Sequence, residues 1–353
     1  MGLRLQDPIP EWISHIALVQ DGRVKTGEKT TILQELNDSR AKGASHSTSP
    51  VHIPSLEAKA KVLVDMQNVN VRYHERHVSH LSLRTQFMIN FVQVLKDINW
   101  TIRSGDRWHL QGANGEFLTK SRTARLSSGP IGSGKTTLLS VLTGDHPQSY
   151  TQQGPMSALT LFGLARRAHA TPYLRARIGV VSPELYNAWP RARDMSVWEA
   201  IATGFDGGFV PLGPLGLGTG LGVSGELSVH ERAWREERVW AVLRGLGPHT
   251  WGGAAVSAGE TVEEFARRPF AALPAGVQSV VLLMRALVGH PPLVLLDEVW
   301  AGMDDGMVRA ARAYLRHGGG VDEDQAVVVV SHWEDEVPWG VEDGVKRFRL
   351  EGV

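Results

Sequence analysis

The stretch "GPIGSGKTT", residues 129–137, sets Gly129, Gly134, Lys135 and Thr136 at the spacing G-x-x-x-x-G-K-[ST]. Glycines at that spacing let successive backbone N–H groups turn inward around phosphate oxygens. A lysine there reaches the β- and γ-oxygens, and the adjacent hydroxyl holds Mg²⁺. A helix starting at this point adds its positive end. Gly129, Gly132, Ser133, Gly134, Lys135, Thr136 and Thr137 are therefore the candidate residues for binding a nucleoside triphosphate such as ATP. Further on, "PLVLLDE" ends an apolar strand in Asp297 and Glu298. Asp297 suits Mg²⁺, and Glu298 suits the polarisation of an attacking water as general base. Next, "VVVVSHWEDE" puts His332 at a strand's C-terminal edge, where α/β sheets present ligand-contacting groups such as a γ-phosphate partner. Each has a plain reading alone: a Gly-rich turn, an acidic strand end, a polar strand-end histidine. Their order in one chain makes Lys135, Glu298 and His332 catalytic candidates and Thr136 and Asp297 metal candidates.

The elements that must position these residues follow from the hydrophobic pattern. From Lys61 onward "VLVDMQNVNVRY" and "LKDINWTI" alternate like half-buried strands, and "RWHLQG" is a strand entering a Gly loop. "KTTLLSVLTG" reads as the helix after that loop. "RIGVVS", "PLVLLDE" and "QAVVVVSH" read as buried parallel strands with helices between them. Residues 206–225 are rich in Gly, Pro and Leu and predict a long loop. Upstream, "HIALVQDGRVKTGE" reads as two strands about an Asp-Gly turn, with a short helix "TTILQEL" after it. Residues 37–60 are polar, Ser/Pro-rich and aperiodic, as a linker would be.

The chain has 353 residues, with 37 basic and 37 acidic side chains and no cysteine. Zero net charge gives no reason to expect nucleic acid as a partner. The absence of cysteine excludes disulfides, thiolate metal sites and cysteine nucleophiles. The start "MGLRLQDPIPEW" lacks a signal-peptide core, and the apolar runs are too short to span a bilayer. We expect a soluble intracellular protein, cytoplasmic in the first instance, with a mitochondrial location left open.

The order phosphate loop, "LPAGVQ" leading a helix, "LVLLDE", "AGMD" and "SH" resembles the nucleotide-binding domain of ABC ATPases, over residues 61–353. The resemblance implies an α/β P-loop NTPase fold of ABC type, with an antiparallel β subdomain and a helical subdomain around residues 185–285. It implies ATP with Mg²⁺ clamped between this domain and a second ABC domain. Its signature loop falls on Leu273, Pro274, Ala275, Gly276 and Val277, with Gln278 next, and its D-loop on Ala301 to Asp304. Its switch histidine falls on His332 and its adenine-stacking aromatic on Tyr73. "TGDHPQSY", "SVWEAIATGF" and "WREERVWAVL" resemble more narrowly soluble tandem-ABC proteins of the ModF type, fungal ones in particular. On that resemblance residues 1–36 look like the tail of a preceding ABC domain.

Two departures bear on activity. Pro274 stands where the family has the signature serine, whose hydroxyl would contact a γ-phosphate across a dimer interface, and proline also removes a backbone donor. Pro183 in "GVVSPEL" stands where the family has its Q-loop glutamine, with Glu184 as candidate replacement.

The phosphate loop also begins twice. "RWHLQG" should run straight into it, and "GANG" at residues 112–115 is such a start. Removing 116–131 leaves "GANGSGKTT", and removing 78–93 leaves "YHERHVLKDINW", a short strand connection. Both segments have edges that can encode splice signals, so we read them as retained introns. Two genuine insertions are the alternative; surface insertions are tolerated, but one inside a phosphate loop conflicts with its geometry.

The expected function is ATP binding and hydrolysis with a partner ABC domain, in cis in a fuller protein or in trans, acting on an unidentified partner protein. The alternatives are a nucleotide-dependent switch with little turnover, and the motor subunit of a membrane transporter.

Overall fold

The computed structural model describes residues 14–20, 23–32, 34, 60–75, 90–112, 134–152, 154, 158–191, 195–220, 226–252, 260–317, 319–331 and 333–350. Gly129, Gly132, Ser133 and His332 lie outside these residues, as do 37–59, 78–89 and 116–131.

Val/Leu-rich strands need both faces covered, and the parallel sheet is built that way. Its strands are β5 (Arg107–Gly112), β8 (Ile178–Val181), β9 (Leu293–Asp297), β10 (Ala326–Val330) and β11 (Lys346–Leu350), in the order β11-β5-β10-β9-β8. Every neighbouring pair is parallel. The period of two divides the side chains between two cores. Leu293 and Leu295 of β9 and Ala326, Val328 and Val330 of β10 face one core; Val294, Leu296, Val327 and Val329 face the other. The predicted strands "RIGVVS", "PLVLLDE" and "QAVVVVSH" are thus three adjacent strands of one sheet.

The first core is roofed by an antiparallel sheet of β3 (Val62–Glu75), β4 (Asn90–Arg103), β6 (Ala158–Leu161) and β7 (Leu164–Ala165), in the order β4-β3-β6-β7. Between the two sheets lies α1 (Lys135–Leu142), burying Leu138, Leu139, Val141 and Leu142. Asn90–Gln93, the last residues of the first suspect segment, continue β4, with Gln93 opposite Arg72 and Val92 opposite Tyr73.

The second core is helical: α2 (Thr171–Arg177) leads into β8, and α3 (Pro183–Ala188), α4 (Val197–Ala202), α5 (Val229–Leu246), α6 (Val262–Arg267) and α7 (Ala275–Val288) follow. In α7 every residue from Gly276 to Val288 is buried, because it lies between the sheet and the other helices. α8 (Asp305–His317) packs its Met307, Ala311, Tyr314 and Leu315 on the same core. Upstream, β1 (His15–Gln20) and β2 (Arg23–Glu28) form the expected antiparallel pair.

The segment expected as one long loop is tied down over residues 206–219. Asp206 accepts from Thr219 N–H at 3.0 Å and pairs with the buried Arg235 at 2.9 Å. Arg235 also donates to the Leu217 carbonyl at 2.8 Å. Composition predicted the loop; the anchor comes from α5, remote in sequence.

A second buried arginine fixes the turn after α1. Arg166, fully buried, donates to the Gly144 carbonyl at 3.0 and 3.2 Å, to the His169 carbonyl at 3.0 Å and to the Tyr150 hydroxyl at 2.7 Å. Lysine cannot reproduce this planar fork. Arg166→Lys should leave buried carbonyls unpaired and lower the free energy of urea unfolding by about 3 kcal/mol, read as a lower urea midpoint at unchanged slope.

Candidate nucleotide site

The chain between β5 and α1 spans the split phosphate loop, and its end is set by Gly134. This residue caps α1 at φ 75°, in the left-handed region. A Cβ there would come within 3.0 Å of Leu95 Cδ2 and of the Val94 carbonyl. Glycine thus permits both the turn and the close packing of α1 on β4. Lys135, Thr136 and Thr137 form the first turn, whose N–H groups have no intrahelical acceptor. α1 carries no acidic residue in that turn, so nothing there offsets its attraction for an anion.

Asp297 ends β9, beside α1 in space. It is buried at 6% exposure, and its carboxyl is pushed from 3.8 to about 7. Burial is the largest cause, followed by the charges of Glu184 and Glu298, with Lys135 opposing. The electrostatics therefore gather Lys135, Asp297 and Glu298, together with Glu184, the candidate replacement for the Q-loop glutamine. Glu298 itself is exposed and sits at φ 47°, its N–H bonded to the Val330 carbonyl at 3.2 Å. Left-handed backbone is strained for a glutamate and is met most often at functional sites. Thr136 and Glu184 line one cavity of about 310 Å³, together with Ser140, Ser182, Leu185 and Phe209. Carboxylates and a hydroxyl are hard oxygen donors, the set that fits Mg²⁺.

Ser331 and Trp333, on either side of His332 in sequence, are held by an ordered chain of hydrogen bonds. Gln111 donates to His109 Nδ1 at 3.2 Å, so Nε2 carries the imidazole proton and donates to Ser331 Oγ at 3.1 Å. Ser331 then donates to the Trp333 carbonyl at 2.8 Å. Burial lowers the His109 pKa, which keeps the ring neutral for this role. His332 lies between these anchors in sequence.

Tyr73, half exposed near the end of β3, meets His146 edge-on at a ring separation of 5.7 Å. His146 Nδ1 accepts from Gln148 N–H at 3.1 Å. Its Nε2–H is thereby directed to the Tyr73 oxygen, 3.0 Å away. Sequence reasoning quoted "TGDHPQSY" without giving His146 this task; a histidine just past the phosphate helix was the available signal.

The residues expected to form the signature loop lead into and open α7. Leu273 is buried, while Pro274 and Ala275 are exposed, and Pro274 caps the helix without any side-chain bond. A Cβ on Gly276 would lie 2.2 Å from the Gly302 carbonyl, so glycine lets α7 start against the backbone of residues 301–304. Ser279 Oγ donates to the Ala301 carbonyl at 3.0 Å across the same contact. Asp304 accepts from Met307 N–H at 2.8 Å and so caps the start of α8. Gln278 is buried and donates to the Leu273 and Phe270 carbonyls at 3.0 and 3.3 Å. Arg191, beyond α3, reaches both Gln278 Oε1 at 3.4 Å and the Tyr186 carbonyl at 2.8 Å. The signature end of α7 is thereby linked to the segment that carries Glu184.

The family model described as "ABC transporter" matches residues 122–301, from within the split loop through Asp297 and Glu298 to Ala301. The chain belongs to the ABC transporter family. The fold of this ABC chain is accordingly that of a P-loop NTPase, with the antiparallel and helical subdomains described above. An uncharacterized ABC transporter ATP-binding protein of Schizosaccharomyces pombe is 27% identical over 96% of this chain and 55% of its own length. One of Saccharomyces cerevisiae is 25% identical over 96% of this chain and 56% of its own. The ABC transporter ATP-binding protein ModF of Escherichia coli is 26% identical over 93% of this chain and 55% of its own. The chain thus spans about half the length of these relatives. Among solved structures, a dimeric ATP-binding cassette in a post-hydrolysis state with ADP and Pi is 18% identical at TM-score 0.49. That match covers 82% of this chain and 96% of the other. Among the described residues no helix is long and apolar enough to cross a membrane.

The raised Asp297 pKa has a signed consequence. Between 3.8 and about 7 the folded protein holds a proton that the unfolded chain has released. Asp297's contribution to stability is therefore full at low pH and declines as pH rises to about 7. In EDTA, the unfolding free energy of wild type minus that of Asp297→Asn should fall over this window by a few kcal/mol. Urea titrations from pH 4 to 8 read it directly.

Proposed function

We propose that this chain is one ABC half of an ATP-hydrolysing pair, working with a second ABC domain in cis or in trans. The observation that carries the reading is the cluster of Lys135, Asp297 and Glu298 at the open end of α1. Lys135 and the first-turn N–H groups of α1 would balance charge on the β- and γ-phosphates. Asp297 and Thr136 would hold Mg²⁺, which supplies further charge neutralisation at those oxygens. Glu298 would orient the attacking water and take its proton, and His332 would contact the γ-phosphate. Tyr73, steadied by His146, offers the face on which adenine would stack. A signature loop from the partner would close over the nucleotide, while residues 273–277 would serve the partner's site.

The relatives' lengths, nearly twice that of this chain, leave room for a second domain of this size. This supports reading residues 1–36 as the end of a preceding domain and 37–60 as a linker. We read the chain as part of a soluble tandem ATPase acting on a partner protein, with the motor of a membrane transporter as the alternative.

Pro274 favours a second reading. It has neither the hydroxyl nor the N–H that would meet the partner's γ-phosphate. The composite site using this loop would bind ATP and turn it over slowly, making the chain a nucleotide-dependent switch.

Steady-state phosphate release separates the two. As an ATPase, the protein should lose turnover about 100-fold or more in Glu298→Gln, within the range for loss of a general base, with ATP binding retained. Equal turnover in wild type and Glu298→Gln would leave the switch reading standing.

Pro274→Ser restores both a hydroxyl and a helix cap. It should raise turnover severalfold and raise the urea midpoint slightly, since a serine cap is worth about 1 kcal/mol.

A further inference from the structure

Arg285 stands within α7 and is buried. Its Nε donates to Thr203 Oγ1 at 3.0 Å, and Nη2 donates to the Gly208 carbonyl at 2.7 Å. The guanidinium also lies 4.9 and 5.8 Å from the ring centroids of Trp189 and Phe209. These contacts orient the charge without cancelling it. Among the described residues Nη1 has no hydrogen bond, and no carboxylate pairs with Arg285. Arg235, equally buried, has both Asp206 and Glu231, the usual condition for an arginine inside a protein. Burial, with repulsion from Arg175, lowers the Arg285 pKa to about 10, so the group is still a cation at neutral pH. Arg285 lines the cavity of about 310 Å³ described above, together with three further charged side chains. Arg175 and Asp145 answer each other at 3.0 Å and are both half exposed, and Glu184 is exposed. Arg285 is thus the buried charge of the lining. Much of the remaining wall is apolar, from Leu139, Ile178, Val180, Leu185 and Phe209. Loose packing does not account for the void. A Cβ on Gly179 or Gly204 would come within 2.1 Å of the carbonyls of Ala286 and Arg285 respectively, so α7 rests directly on backbone at both places. An apolar cavity with a few fixed polar groups is the usual form of a small-molecule site.

We propose that this cavity binds a small apolar carboxylate, its anion paired with Arg285 and its hydrocarbon body lying against α1, β8 and α3. A carboxylate gives the guanidinium a charge-assisted hydrogen bond at the free Nη1, and the hydrocarbon covers the apolar wall. Asp145 and Glu184 on the same lining act against further negative charge, so a monoanion fits and a polyanion does not. Thr136 shares the wall, but the site does not depend on the nucleotide reading.

Calorimetric titration of the full chain, without nucleotide, with octanoate, 1-octanol and inorganic phosphate tests this. Wild type should bind octanoate about tenfold more tightly than 1-octanol, the margin that a hydrogen bond between charged groups supplies, and phosphate more weakly than either. Arg285→Met should abolish the preference for octanoate over 1-octanol. Octanoate should raise the thermal midpoint of wild type and leave that of Arg285→Met unmoved. Ala188 is an exposed residue of the lining. Ala188→Trp should therefore obstruct the cavity while leaving Arg285 and its partners in place, and weaken octanoate and 1-octanol alike. It carries the test if Arg285→Met does not fold. Equal affinity of wild type for octanoate and 1-octanol, phosphate bound as tightly as octanoate, or octanoate binding unchanged in Ala188→Trp would each overturn the proposal.

Discussion

A carboxylate at the end of an apolar strand destabilises the fold until something positive reaches it, and Asp297 is such a carboxylate. Leu293 to Leu296 are fully buried, and the strand delivers Asp297 to the one edge of the sheet where α1 begins. Glu184 and Glu298 act against its negative charge, and Lys135 acts in its favour. The rest of the domain positions that carboxylate. The strands on either side fix its depth, Gly134 brings the helix N-terminus alongside, and the strained Glu298 backbone turns the chain away immediately after it.

Two cores keep the arrangement rigid. The same strands divide their side chains between the α1 side and the helical side, so β9 and β10 are gripped from both faces. On the α1 side the covering layer is a sheet whose strand β3 ends near Tyr73. On the other side it is α7, which begins at Ala275 just after Leu273 and Pro274. Strand pairing and core packing therefore fix where Lys135, Tyr73 and residues 273–277 stand.

Much of this was legible in the residues. Alternating and continuous apolar runs placed β3, β4 and β8 to β10, and the acidic pair after "LVLL" marked the end of β9. Order and spacing carried that information, because each motif is local. What could not be read was what depends on neighbours remote in sequence. Tyr73 and His146 meet across two subdomains, Arg191 finds Gln278, and Glu184 approaches Asp297 from another strand's exit. The anchoring of residues 206–219 by Arg235 was hidden for the same reason, since a Gly/Pro-rich composition says nothing about an arginine on a distant helix. The sequence did identify the split loop as an anomaly; Gly129, Gly132 and Ser133, like His332, lie outside the described residues.

The last strand, β11, closes one margin of the parallel sheet with the sequence KRFRL. Lys346 pairs with Asp106 at 2.6 Å and Arg347 with Glu334 at 2.9 Å, while Phe348 turns inward to stack on Trp100. An open strand margin is a template on which other chains can add strands, and clustered basic side chains are a common deterrent to such growth. β11 combines that deterrent with an aromatic clamp, so the margin is held in place and made inhospitable at once. Among the described residues, this margin therefore presents basic side chains and a stacked aromatic rather than a bare strand.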